Sequence, residues 1–181
     1  MTFPIKRTLQ LEKFKAIFLE VQNMFMAKSS NSKNSKRMYK IRKKREAALH
    51  AAFVKILMRS PVKGIRFFGG DKKISLTFFG ERFSYRILVK REIHVGGWNK
   101  GKEGEIRIDK DLFSKQKKSF RALCVHEAIE KFVAEKYGLK VDDEAHVVAT
   151  KKEEQYLKSI GGNWRSHQIL VYHLWDRLNG H

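Results

Sequence analysis

The apolar period of this chain changes at Ser60-Pro61, and that change limits what it can fold into. Before it, apolar residues recur at intervals of three and four, the spacing that lines up one face of a helix. After it they come in short runs rich in aromatic and β-branched residues, cut by glycine and aspartate, as antiparallel strands with tight turns require. Leu11, Phe14, Ile17, Phe18, Val21, Met24 and Phe25 predict a helix over about residues 9–26. The polar stretch 27–36 reads as a flexible loop, and Met38, Ile41, Ala48, Ala52, Phe53 and Ile56 predict a second helix that stops before Pro61. Strands are expected within 64–68, 73–79, 83–89 and 105–108, with residues 94–102 as a loop or irregular strand before the last. Helical spacing returns from Lys117 to Tyr137, where Gly138 is placed to end it. Asp142 or Asp143 can cap a following helix over about residues 144–159, and Ser166 a last one holding Ile169, Leu170, Leu174, Trp175 and Leu178. The expected fold class is α+β, a small antiparallel sheet packed against a helix, with a basic helical hairpin at residues 1–60 and the main domain at 61–181.

Charge separates the two parts. Of a formal net charge of +20, residues 1–60 hold 15 Lys and Arg against 3 Asp and Glu. Such an excess favours polyanions, nucleic acid before anionic membrane surface. Lys36, Arg37, Lys40, Arg42, Lys43, Lys44 and Arg45 are the expected DNA or RNA contacts. With no aromatic platform or Cys/His finger beside them, they are expected to touch phosphates and to read no base sequence. No apolar run is long enough for a membrane span, and Lys6, Arg7, Glu12, Lys13 and Lys15 interrupt any export signal. The single cysteine, Cys124, excludes an internal disulfide and reads as a small buried apolar residue; a cytoplasmic setting is expected.

The chemistry is concentrated in Cys124-Val125-His126-Glu127-Ala128-Ile129-Glu130, an H-E-x-x-E motif inside the helical segment 117–137. His126 and Glu130 lie one turn apart on one face, where both can hold a divalent metal, and Glu127 is left as a base. The more usual motif has histidine where this chain has Glu130. His146 and Glu153, seven residues apart on the next helix, compete to be the third ligand. They stand about 10 Å apart along its axis, so one metal is not expected to take both. His146 is preferred, because two imidazoles and a carboxylate make a familiar catalytic zinc set with the fourth position left for water. Glu153 is then the reserve ligand or a group that orients one. For a developing oxyanion, His94, Arg121, His167 and His173 are candidates that spacing does not rank.

The strand Gly104-Glu105-Ile106-Arg107-Ile108-Asp109, a short interval, the H-E-x-x-E helix and a second helix offering a ligand together resemble the small zincin-type metallopeptidase domains of phage and archaeal genomes. The resemblance covers about residues 103–157. It implies zinc, a peptide or protein substrate, His126 and Glu130 as ligands, Glu127 as general base, and Gly104, Glu105, Ile106, Arg107 and Ile108 as an edge strand facing the substrate. The competing reading is a non-catalytic nucleic-acid-binding protein whose H-E-x-x-E helix holds a structural ion. A metal-dependent nuclease is a third, disfavoured because magnesium prefers oxygen ligands to imidazole.

Overall fold

The computed structural model describes residues 33–91, 94–99 and 104–180. The chain divides into two units, residues 1–57 and 58–181. The helix expected over residues 9–26, and with it the hairpin, lies outside the described residues. The second basic helix, α1, spans Lys33–Arg59 and stops before Pro61 as its sequence predicts. It begins inside the stretch expected to be a loop. That stretch contains neither glycine nor proline, and each Ser, Asn or Lys costs a growing helix only a few tenths of a kcal/mol.

Five strands follow: β1 Val62–Phe68, β2 Lys73–Phe78, β3 Glu81–Lys90, β4 Gly96–Gly97 and β5 Glu105–Asp109. β1, β2 and β3 form the expected antiparallel meander. The second turn is a two-residue Phe79-Gly80 hairpin with both φ angles positive, +50° and +80°, the twist such turns favour. A phenylalanine at positive φ is strained, and burial offsets the strain: Phe79 is buried with its ring edge-on to Tyr137 at 5.9 Å.

The expectation of a purely antiparallel sheet is corrected at β5. The sheet is mixed, in the order β1-β2-β3-β5-β4, with β5 parallel to β3 and antiparallel to β4. Residues 91–104 are long enough to carry the chain back to the level of Arg86 in the middle of β3, a return that a parallel neighbour needs and a hairpin does not. Arg86 of β3 and its register partner Glu105 of β5 form an ion pair across the parallel junction.

β5 runs straight into Asp109, whose carboxylate caps α2, Lys110–Lys115, by accepting from the Asp111 amide at 2.9 Å. The long helix α3 spans Lys117–Tyr137 and ends on Gly138 in the left-handed conformation, as expected. The next helix enters through one π-helical turn, Val141–Ala145, and continues as α4, His146–Ser159. Neither Asp142 nor Asp143 caps it; the Glu144 carboxylate accepts from the Lys140 amide at 3.1 Å. The last helix, α5, spans Trp164–Asn179, and Asn163 rather than Ser166 is its cap, accepting from the Ser166 amide at 2.9 Å. Phe132 of α3 stacks on Phe83 of β3 at 4.0 Å and meets Phe78 of β2 edge-on at 6.4 Å. With the sheet on one side and α4 on another, α3 is buried on almost every face from Ser119 to Val133, and its polar residues there must find partners inside the protein.

Candidate metal centre

His126, Glu127 and Glu130 on α3 and Glu153 on α4 are each under 8 % exposed. Burying that many ionisable groups is costly unless each is paired, so their hydrogen bonds define the site. Glu130 offers a single oxygen, Oε2, to two imidazoles: His126 Nε2 lies 3.3 Å away and His146 Nδ1 3.1 Å. One ligand atom from each of the three residues falls within 4.8 Å of the others, so together they can hold a metal ion. Metal–ligand bonds of about 2.0–2.1 Å in tetrahedral geometry put ligand atoms about 3.3 Å apart, a spacing the two imidazole nitrogens already have to Glu130 Oε2. His126 and Glu130 are buried, whereas His146 is exposed at the mouth, directly after the π-helical turn.

His146 and Glu153 meet the motif at different atoms. His126 presents Nε2 to Glu130 and donates Nδ1–H to Glu153 Oε2 at 2.8 Å. Both α4 residues therefore reach the motif, His146 at Glu130 and Glu153 at the Nδ1 side of the His126 ring. The other Glu153 oxygen accepts from His167 Nε2 of α5 at 2.7 Å. This carboxylate holds the orientation of the His126 ring, as partners of metal-binding histidines do.

The electrostatics follow from this pairing. Burial alone would raise the Glu130 carboxyl, but hydrogen bonds from His126 and His146 outweigh it and bring the pKa down to about 2. Glu153 also falls to about 2, burial again being outweighed by His126 and His167. Burial opposes charge on His126 too, yet its bonds to Glu130 and Glu153 lift the imidazole to about 10. Glu127 behaves differently. Burial pushes it up to about 8; His126 opposes that rise, and the neighbouring carboxylates Glu130 and Glu153 add to it. Its carboxylate lies against β4, where a Cβ on Gly96 would stand 2.5 Å from Glu127 Oε1. Glycine lets the strand come so close without displacing that side chain.

A cleft of about 410 Å³ opens over the group, lined by His126, Glu127 and His146 together with His94 and Gly96 on one wall and Trp164, Val171, Tyr172 and Trp175 of α5 on another. Of the oxyanion candidates, His94 and His167 line it. Arg121 is engaged instead by Asp71, at 2.8 Å through Nη2. His173 is exposed on α5 and is not part of the lining.

The strand expected to face substrate is corrected in position. β5 is flanked by β3 and β4, with Arg107 and Ile108 paired to Gly97 and Gly96, so β4 is the edge beside Glu127. Ile106 and Ile108 are fully buried and Glu105 pairs with Arg86, while Gly104 sits just before β5 at φ +75°. The basic residues lie on α1 in the other unit. Lys40, Lys43, Lys44 and Arg45 are exposed and Arg42 partly so, and the backbone of Lys36 and Arg37 is helical.

Three contributors escaped sequence reasoning. Trp98 Nε1–H donates to Glu130 Oε1 at 3.1 Å, and Lys131, fully buried, holds the Trp98 loop. Gly96 makes room for Glu127. The sequence signals were a lysine in a buried helical stretch and a Gly-Gly-Trp in a polar loop, neither of which names its partner. The chain matches no protein-family model, no curated protein and no solved structure.

Proposed function

We propose that this protein is a zinc-dependent, zincin-like peptidase in which His126, Glu130 and His146 hold the metal and Glu127 is the general base. The observation that carries the reading is the Glu130 oxygen shared at 3.1 and 3.3 Å by two imidazoles from different helices, both of which line an open cleft. A bound zinc would polarise the substrate carbonyl and acidify a water molecule. The chain's own residues supply the rest. Glu127 lines the cleft beside His126, and its carboxyl, raised to about 8 by burial in the metal-free protein, would be lowered by a neighbouring cation toward the range in which it takes and returns a proton at neutral pH. Glu153 holds the His126 ring, and His94 stands at the cleft wall as a donor for developing negative charge.

Two features favour a catalytic role on peptides over the competing readings. Structural zinc sites are closed by four protein ligands, whereas this group has three and borders a cleft. In a chain of net charge +20, the described residues lining that cleft include no Lys or Arg, which a phosphate-bearing substrate would need, and four of the six α5 residues on its wall, Trp164, Val171, Tyr172 and Trp175, are aromatic or apolar. An extended peptide with large apolar side chains, lying along the β4 edge, suits this lining. The exposed lysines and arginines of α1 support a separate polyanion contact that would bring the enzyme to DNA, RNA or a nucleoprotein. Among the described residues, no helix is long and apolar enough to cross a membrane.

Glu127→Gln tests the assignment, since it removes the base and no ligand. Zinc content is expected to stay near one per chain while cleavage of an apolar peptide library falls about 10²- to 10⁴-fold. A variant that loses its zinc, or cleaves undiminished, contradicts the roles.

A further inference from the structure

Resting on that metal reading, we infer that Trp98, clamped by Lys131, restricts Glu130 to one-oxygen ligation and so sets which metal the site prefers. Lys131 is wholly buried, and a lysine is retained there only if its ammonium is paired. Its Nζ donates to Glu135 Oε1 at 2.7 Å and to the Asn99 carbonyl at 3.3 Å, and it lies 4.9 Å from the centre of the Trp98 ring, within cation–π range. Asn99 is held a second time, its side-chain oxygen accepting from Arg107 Nη2 at 2.6 Å. The loop after β4 is thus fixed to α3 and β5 at the residue beside Trp98.

The indole has one polar function, a donor, and spends it on Glu130 Oε1 at 3.1 Å. The other oxygen, Oε2, is the one facing His126 and His146. With Oε1 occupied, the carboxylate contributes one ligand atom, and the protein supplies three in total. Low coordination number suits zinc. A carboxylate free to bind through both oxygens raises the number and suits manganese, which takes oxygen-rich, six-coordinate sites.

Competitive titration of metal-free protein with Zn²⁺ and Mn²⁺ tests the clamp without reference to activity. Trp98→Phe keeps a ring for Lys131 and removes only the N–H. It is expected to bind zinc about 10- to 100-fold more weakly and to shift the Zn²⁺/Mn²⁺ preference toward manganese. Lys131→Met, which keeps the buried stem, reads the same clamp from the other side and should shift affinity and preference in the same direction by less. Zinc affinity and metal preference unchanged in Trp98→Phe, or in Lys131→Met should the first variant not fold, overturn the clamp while leaving the metal site standing. Wild-type protein that takes up no zinc removes the metal reading, and the clamp with it.

Discussion

Helices α1 and α3 each carry a dense run of ionisable residues, in opposite environments. On α1, Lys40, Lys43, Lys44 and Arg45 stand in water, where a charge needs no partner and many arrangements serve equally well. On α3, His126, Glu127, Glu130 and Lys131 are almost fully buried. Each must be held by specific atoms or by a shift in its protonation, and those constraints reach to α4, α5 and the β4 loop. Ionisable residues therefore carry different information in the two settings. A solvated cluster reports a net field, whereas a buried one reports a geometry.

Removing His126 should break that contrast most severely. His126→Ala leaves Glu130 and Glu153 buried without their shared partner, so a loss of about 3–5 kcal/mol in urea unfolding is expected, together with loss of bound zinc. A variant as stable and as zinc-loaded as the wild type would show that burial is not being offset by this pairing. Glu153→Gln should act more mildly, weakening zinc about 10- to 100-fold through ring orientation, with His146→Ala costing more because it removes a ligand.

Acid sharpens the comparison further. In the metal-free protein Glu130 and Glu153 titrate near 2 instead of 4.5, so their contribution to stability is present above about pH 4.5 and is lost as pH falls toward 2. His126, raised to about 10, stays charged throughout that window. Unfolding free energy measured from pH 5 to pH 2 should fall in the wild type, and with a shallower slope in a Glu153→Gln variant. Equal slopes would contradict the pairing. The smallest stability effect belongs to α1. Neutralising Lys40, Lys43, Lys44 and Arg45 should change stability by about 0.5 kcal/mol or less, while the salt slope of DNA binding should drop by about 0.9 for every phosphate the variant no longer neutralises.

The sequence carried the local structure well, and the reason is physical. The α3 boundaries, its Gly138 cap and the stop before Pro61 depend on residues within a turn of one another. The β1–β3 meander depends on turns a few residues long. The parallel β3–β5 pairing does not, since it is fixed by the path of residues 91–104, and with it went the identity of the sheet edge. At the site, His126, Glu127 and Glu130 were readable because one helical turn brings them together. Spacing alone put His146 and Glu153 too far apart to share a metal but left open which one reaches it. In the fold His146 meets Glu130, and Glu153 meets the Nδ1 side of the His126 ring. Trp98, Lys131 and His167 were not assigned these contacts, because an indole, a lysine or a histidine acquires such a role only from what the fold sets against it.

X-ray absorption at the zinc edge of the loaded wild-type protein bears most directly on the proposal that the α3–α4 group is a metal centre. The expected first shell holds two imidazole nitrogens and one carboxylate oxygen at about 2.0–2.1 Å, with a fourth light atom from solvent. A first shell lacking two imidazoles, or zinc that binds with the same spectrum to His126→Ala, would contradict it.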